Sequence, residues 1–504
     1  MHRRADRYFE ENKPHAGLGR ASLRSGALLM SARLVNVIVQ VGSTILLARL
    51  LDPYQYGLAT LVLALTAFAP FLIDLGTTDA SINRPRITRR EISSLYWLNV
   101  AIGAALTVLF AAASGLIASF FGERSLVGIA LWSSLTFVLT GLSVQHYSLM
   151  RRAMEFDRIS AIDIAANLAG SVIAIGMALT GWSYWALVAK PLLTLVFTTA
   201  GAWYFCPWIP GRPRLDGEVK QMLRFGLGVT GFTLTDQLTR SADRLAVGYF
   251  YGPGPLGYFQ NAYLLYGNAI NILAESLHNV AVSGLSKLKE DAAALKRAWA
   301  SALSLLSFVS TAAFAVLAVT SQDLVVLLLG EKWAPAGPIL CILGVRGIAH
   351  CVERTLGWLH VVAGRSDRWM KWGAFSAACL LASMAIALPF GPVGVAAAYA
   401  VTTFALFVPT LVYAGRPLGI GARDVLSASG PQVAAGVIAA VAGLGLQQAF
   451  LADASHLVRF LISIPICLSI YLAVAVGVFR VTEPLRHAAA LLKDLAARRG
   501  ARRD

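Results

Sequence analysis

Of 504 residues, 57% are hydrophobic and only 14% are charged, too few charges for a soluble protein of this length. The net charge of +16 gathers in no basic domain apart from the apolar stretches, which excludes nucleic acid as a partner. Five scattered cysteines with no C-x-x-C pair and no histidine at ligand spacing give no reason to expect a disulfide framework or a metal site.

A crossing helix needs about 20 apolar residues. On that measure the chain reads as fourteen spans, near 27–50, 57–79, 94–120, 127–148, 160–180, 183–206, 225–250, 256–284, 298–320, 336–363, 370–389, 393–414, 430–450 and 457–479. A polar N-terminal arm (1–25) precedes them, and the first apolar stretch is too long for the core of a cleavable signal peptide. The segment TEPLRHAAALLKDLAARR follows them. It places Leu485, Ala488, Leu492 and Leu495 on one face, as an in-plane amphipathic helix does.

Loop charge sets the orientation. Arg84, Arg86, Arg89 and Arg90 follow span 2, Arg151, Arg152 and Arg158 follow span 4, and Arg212, Arg214, Lys220 and Arg224 follow span 6. The intervening loops hold only Arg124, Lys332 and Arg459. Even-numbered loops and both termini are therefore expected in the cytoplasm.

The chain also repeats itself at a spacing of about 200 residues. Pro53 and Gly57 after span 1 match Pro253 and Gly257 after span 7, Gly122-Glu123-Arg124 matches Gly330-Glu331-Lys332, and Gly181 and Ala186 match Gly391 and Ala396. Six spans per repeat keep the second copy in the same orientation, which predicts a parallel duplication with a cavity between its halves. The expected organisation is an N-lobe at 26–210, a C-lobe at 211–420, two extra helices at 421–480 and a basic cytoplasmic tail at 481–504.

Two segments carry a resemblance. LARLLDPYQYGLATLVLALTAFAPFLIDLG with INRPRITRREISSLYWLNV, and DQLTRSADRLAVGYFYGPGPLGYFQNAYLL at the matching place, resemble the polysaccharide-unit flippases of the multidrug/oligosaccharidyl-lipid/polysaccharide exporter superfamily. The resemblance runs over roughly residues 20–480. It implies an all-α, V-shaped, two-lobed transporter of the bacterial inner membrane. The implied cargo is an undecaprenyl-diphosphate-linked oligosaccharide for exopolysaccharide, capsule or O-antigen synthesis, with a polysaccharide polymerase and assembly proteins as further partners.

Ionisable residues inside spans are costly and mark function by default. Span 7 places Asp236, Arg240, Asp243 and Arg244 on one helix face, and span 10 repeats that spacing with Arg346, His350, Glu353 and Arg354. Span 8 adds the stripe Asn268, Asn271, Glu275 and His278, span 1 adds Arg33, Asn36 and Gln40, and span 6 adds Lys190. The substrate-binding set expected from these is Arg33, Asn36, Lys190, Arg240, Asp243, Arg244, Asn271, Glu275, His278, Arg346, His350, Glu353 and Arg354. Arginine suits a diphosphate through its planar fork and permanent charge. The competing reading is internal neutralisation, Arg240 by Asp236 and Asp243 and Arg346 by Glu353. For Asp74 and Arg49, near span ends, a structural role is expected.

Two other functions compete. A cation-coupled drug or ion antiporter would share the fold but needs acidic residues in excess, whereas the membrane-buried charges of the second lobe are balanced or basic, which favours an anionic cargo. An enzyme on lipid-linked sugars needs catalytic groups on long outer loops, and no H-E-x-x-H, G-x-S-x-G or P-loop motif is present. No catalytic residue, metal or cofactor is expected.

Overall fold

The computed structural model describes residues 8–9, 35–84, 87–213, 237, 241–286, 288 and 291–484. Among the expected residues, Arg33, Asp236, Arg240 and the amphipathic segment from Leu485 lie outside them. All regular structure among the described residues is helical. Among the described residues ten segments are long and apolar enough to cross a bilayer, and one of them, Asp367–Leu418, at 52 residues holds two helices each of crossing length. By contacts the chain forms two compact units, Met1–Gly257 and Tyr258–Asp504.

Unit 1 begins with α1 (Val35–Leu50) and α2 (Pro53–Thr66). Pro53 occupies the first helical position, where its missing N–H costs nothing, and Gln55 Oε1 accepts from Asp52 N at 3.0 Å. The turn at Pro53 lies against the one at Pro253. A Cβ on Gly57 would overlap the Pro253 carbonyl, and a Cβ on Gly257 would overlap that of Pro53. The two turns matched in sequence thus meet backbone to backbone, and only glycine leaves room.

Span 2, expected as one helix, is broken. After α2 come α3 (Ala69–Asp74) and α4 (Thr77–Asn83), separated by Leu75 and Gly76 at φ 45° and 69°. Backbone outside a helix is tolerated at membrane depth only where protein or water satisfies it. Asp74 does so here: its Oδ1 accepts from Thr78 N at 2.9 Å, Thr77 Oγ1 at 2.9 Å and Thr78 Oγ1 at 2.7 Å. At the other end of α4, Arg152 Nη1 donates to the Ser81 and Arg84 carbonyls at 3.0 and 2.5 Å. A carboxylate at the N-terminus and a guanidinium at the C-terminus both suit the helix dipole.

The unit continues through α5 (Arg89–Ala112), α6 (Ser114–Phe121), α7 (Leu126–Ser133), α8 (Leu135–Arg152), α9 (Phe156–Leu179), α10 (Trp185–Phe205) and α11 (241–251). Thr88 and Glu91 cap α5 reciprocally, Glu91 N donating to Thr88 Oγ1 at 3.3 Å and Thr88 N to Glu91 Oε2 at 2.6 Å. Helix α8 packs on α3, α4, α5 and α10, and α9 lies along α10. Trp208 is 2% exposed and packs against Tyr96 and His146, whereas Tyr204 is exposed, as residues of an interfacial aromatic belt are.

Unit 2 takes up one turn into α12 (Pro253–Ser286). It then runs through α13 (Ala292–Leu329), α14 (Ala336–Glu353), α15 (Leu356–Ala363), α16 (Ser366–Ala387), α17 (Gly391–Gly415), α18 (Ala422–Phe450) and α19 (His456–Leu472). Helix α13 is its spine, with α14, α18 and α19 packed along it. The last two helices, outside the sequence duplication, are therefore integral to this unit. Asp291 caps α13 by accepting from the backbone of Ala293 and Ala294 at 3.0 and 2.9 Å.

Candidate functional site

Unit 1 gathers part of the expected set on α1, α9 and α10. Asn167 Nδ2 on α9 donates to Asn36 Oδ1 at 3.2 Å, and Lys190 Nζ on α10 donates to Ser43 Oγ at 2.6 Å. Asn36 and Ser43 are seven residues apart, on one face of α1, so that face is turned toward α9 and α10. Gln40 is exposed. On α11, Asp243 is 1% exposed and accepts from Arg244 N at 2.7 Å.

A second polar group in unit 1 surrounds the break in span 2. Thr77 Oγ1, bonded to Asp74, accepts from Gln145 Nε2 at 2.9 Å, and Asn99 reaches the same hydroxyl at 3.3 Å. The partners of Asp74 and Thr77, on α4, α5 and α8, lie within this unit. Asp74 is thus a helix cap, in keeping with the structural role expected for it.

Unit 2 brings Arg346, His350 and Glu353 together on α14, and each meets a partner on another helix. Arg346, 5% exposed, donates through Nε to Thr403 Oγ1 on α17 at 3.0 Å. Its guanidinium lies 5.7 Å from the Tyr266 ring and 5.2 Å from the Tyr399 ring, within cation–π reach of both. His350 Nδ1 and Tyr266 Oη are 2.6 Å apart. Glu353 Oε1 accepts from Thr410 Oγ1 at 3.0 Å, and Trp372 Nε1 donates to that same hydroxyl at 3.2 Å. Arg354, where α14 ends, is exposed, and Asn271 on α12 is exposed too. Glu275 and His278 lie on α12, and nothing is described of their side chains.

Sequence reasoning missed two groups here. The aromatic and hydroxyl partners Tyr266, Tyr399, Thr403 and Thr410 read as ordinary packing residues. Asp323, fully buried on α13, pairs with His456 Nδ1 at 2.7 Å and Arg459 Nε at 3.3 Å and accepts from Gln447 Nε2 at 2.7 Å. Its signal was available: it is the only acidic residue in α13, followed at once by six apolar ones.

Helical spans that carry polar groups in both units fit a transporter, and comparison with known proteins decides the family. A model of the polysaccharide biosynthesis protein family matches residues 46–338, more than half of the chain. The chain belongs to that family. The lipopolysaccharide biosynthesis protein WzxC of Escherichia coli K12 is 29% identical over 65% of this chain and 67% of its own. The teichuronic acid biosynthesis protein TuaB of Bacillus subtilis 168 is 25% identical over 66% and 70%. Among solved structures, the lipid II flippase MurJ in an inward closed conformation covers 90% of this chain and 99% of its own, with a TM-score of 0.72 at 16% identity. That likeness establishes the fold. The chain is an all-α, multi-pass membrane protein with the fold of that structure.

Proposed function

We propose that this protein is a flippase that moves undecaprenyl-diphosphate-linked oligosaccharide units from the cytoplasmic to the outer leaflet of a bacterial inner membrane. The observation that carries the proposal is a polysaccharide biosynthesis chain that keeps charged and amide side chains buried in its spans in both units. The relatives are named for lipopolysaccharide and teichuronic acid biosynthesis, and the MurJ fold belongs to a lipid II flippase.

Physics explains why such a cargo needs such a protein. Each unpaired hydroxyl moved from water into alkane costs about 4–8 kcal/mol, so a head group of several sugars does not cross lipid unaided. Asn36, Lys190, Asp243, Arg244, Asn271, Arg346, His350, Glu353 and Arg354, with Arg33, Arg240, Glu275 and His278, are the candidate groups that replace those hydrogen bonds. The duplicated halves, 26–210 and 211–420, would rock as two lobes, with both termini in the cytoplasm and a polymerase and assembly proteins receiving the product outside.

The diphosphate also supplies a driving force. Moving one charge through the full field is worth about 2.3 kcal/mol per 100 mV, so about two negative charges gain on the order of 4–5 kcal/mol leaving a negative cytoplasm. Proteoliposomes holding purified lipid-linked oligosaccharide test this. A potassium–valinomycin potential should speed flipping toward the positive side, and rates that ignore both the potential and its sign would count against the proposal.

A further inference from the structure

In unit 2, Arg346 is fixed on three sides. Thr403 Oγ1 accepts from Nε at 3.0 Å, and the rings of Tyr266 and Tyr399 flank the guanidinium at 5.7 and 5.2 Å. The guanidinium is planar with its donors in a rigid fork, so holding Nε and the plane also aims the terminal nitrogens. One of these, Nη1, is buried without a hydrogen-bond partner.

Tyr266 is itself held. It is 1% exposed, its hydroxyl lies 2.6 Å from His350 Nδ1, and its ring packs against Phe314 at 5.9 Å. Phe314 comes that close because α14 carries Gly347 there: a Cβ on Gly347 would overlap the Phe314 ring. A chain of contacts therefore runs from Gly347 through Phe314 and Tyr266 back to Arg346. Thr403 and both rings are uncharged, the Tyr263 hydroxyl bonds the guanidinium as a further neutral partner, and Glu353 acts on it through space while its Oε1 accepts from Thr410, so that Nη1 itself is left without an acceptor. A buried donor of a permanent cation, oriented and unpaired, suits an anionic oxygen.

We propose that Tyr266 and Tyr399 are positioning residues that hold Arg346 so that Nη1 meets a phosphate oxygen of the lipid-linked cargo. This rests on the flippase reading above and adds the group recognised and the residues that aim the recognition. Tyr266 couples the aim to His350 through its hydroxyl, whereas Tyr399 acts through its ring face.

The test compares undecaprenyl diphosphate with undecaprenol, the same tail without the anion, binding to purified full-length protein by native mass spectrometry. The unsubstituted protein should favour the diphosphate by about tenfold or more. Tyr266→Leu and Tyr399→Leu should abolish most of that preference and leave undecaprenol binding unchanged. Tyr266→Phe and Tyr399→Phe keep the ring and should retain the preference to within about threefold. Thr403→Val, which frees Nε at little cost in volume, should act like the leucine variants if either of those does not fold.

Ringless variants that bind diphosphate as the parent does would overturn the proposal. So would variants that lose both probes in parallel, the mark of a merely structural role. The two readings fail separately. Diphosphate preference that tracks the rings in a protein that flips nothing in vesicles sinks the flippase and keeps the clamp. Flipping with an unaltered KM in the leucine variants sinks the clamp and keeps the flippase.

Discussion

The two units meet the cost of polar groups in the membrane differently, although each breaks an expected span, unit 1 at Leu75 and unit 2 between Glu353 and Leu356. Unit 1 breaks its backbone and repairs it with short neutral or singly charged contacts: Asp74 caps the start of α4, Arg152 closes its end, and Lys190 and Asn36 bond to Ser43 and Asn167. Unit 2 keeps a 38-residue spine, α13, unbroken, and charges reside in its interior against rings and counter-ions: Arg346 between two tyrosines, Asp323 between His456 and Arg459. A helix break exposes backbone groups that one side chain can satisfy. A buried charge needs its partners from distant helices, so unit 2 should be the more sensitive to loss of a single polar residue.

The largest effect expected follows from that difference. Asp323→Ala removes the counter-ion that joins α13 to α19 and strands the Arg459 guanidinium, while His456 keeps Glu331 Oε1 at 3.5 Å from its Nε2. Breaking a buried pair from one side costs about 3–5 kcal/mol. Because the Arg459 and His456 side chains keep 19% and 33% of their exposure, the low end, about 3 kcal/mol, is expected here. Thermal unfolding in detergent measures it, and a loss of less than about 1 kcal/mol would erase the contrast between the units.

A smaller effect tests how tightly unit 1 closes around its turns. Gly57→Ala and Gly257→Ala each force a methyl group into an opposing proline carbonyl, where backbone and no flexible side chain must yield. Overpacking of this kind costs about 1–3 kcal/mol. Gly42→Ala on α1 is the control, since nothing lies within 4 Å of its added methyl, and it should be neutral or mildly stabilising. The two proline-facing changes should not add, because they act on one contact. Additive losses would mean that the turns are strained independently.

The chain announces its spans plainly, because hydropathy is a local property. The expected span 393–414 falls on α17 to within about two residues, and 430–450 and 298–320 fall inside the longer α18 and α13. The stripe Arg346, His350, Glu353 also lies on one face of α14, Arg346 buried and the other two half-buried, as its spacing requires. Arg354 leaves the stripe because α14 ends there. What stayed hidden is everything that depends on distance along the chain. Asp323 and His456 are 133 residues apart, and Tyr266 lies 84 from His350, so no window contains both members of either pair. The break in span 2 was hidden for another reason: Leu75 takes a left-handed conformation that its side chain disfavours, and only the caps at Asp74 and Arg152 make that affordable.

Those caps give the smallest and most discriminating prediction. Asp74→Ala removes the acceptor for Thr78 N and for two hydroxyls at the start of α4, and losing a cap costs about 1 kcal/mol, within a range of about 0.5–2. Asp74→Asn keeps an oxygen at the same place, and asparagine caps as well as aspartate does. If α4 is held by the hydrogen bonds, the asparagine variant should recover most of the stability lost by alanine in the same unfolding measurement. If the charge matters, through the dipole of α4, asparagine should fall as far as alanine. Unit 1 would then depend on the charge of a half-buried carboxylate as unit 2 depends on that of the buried Asp323.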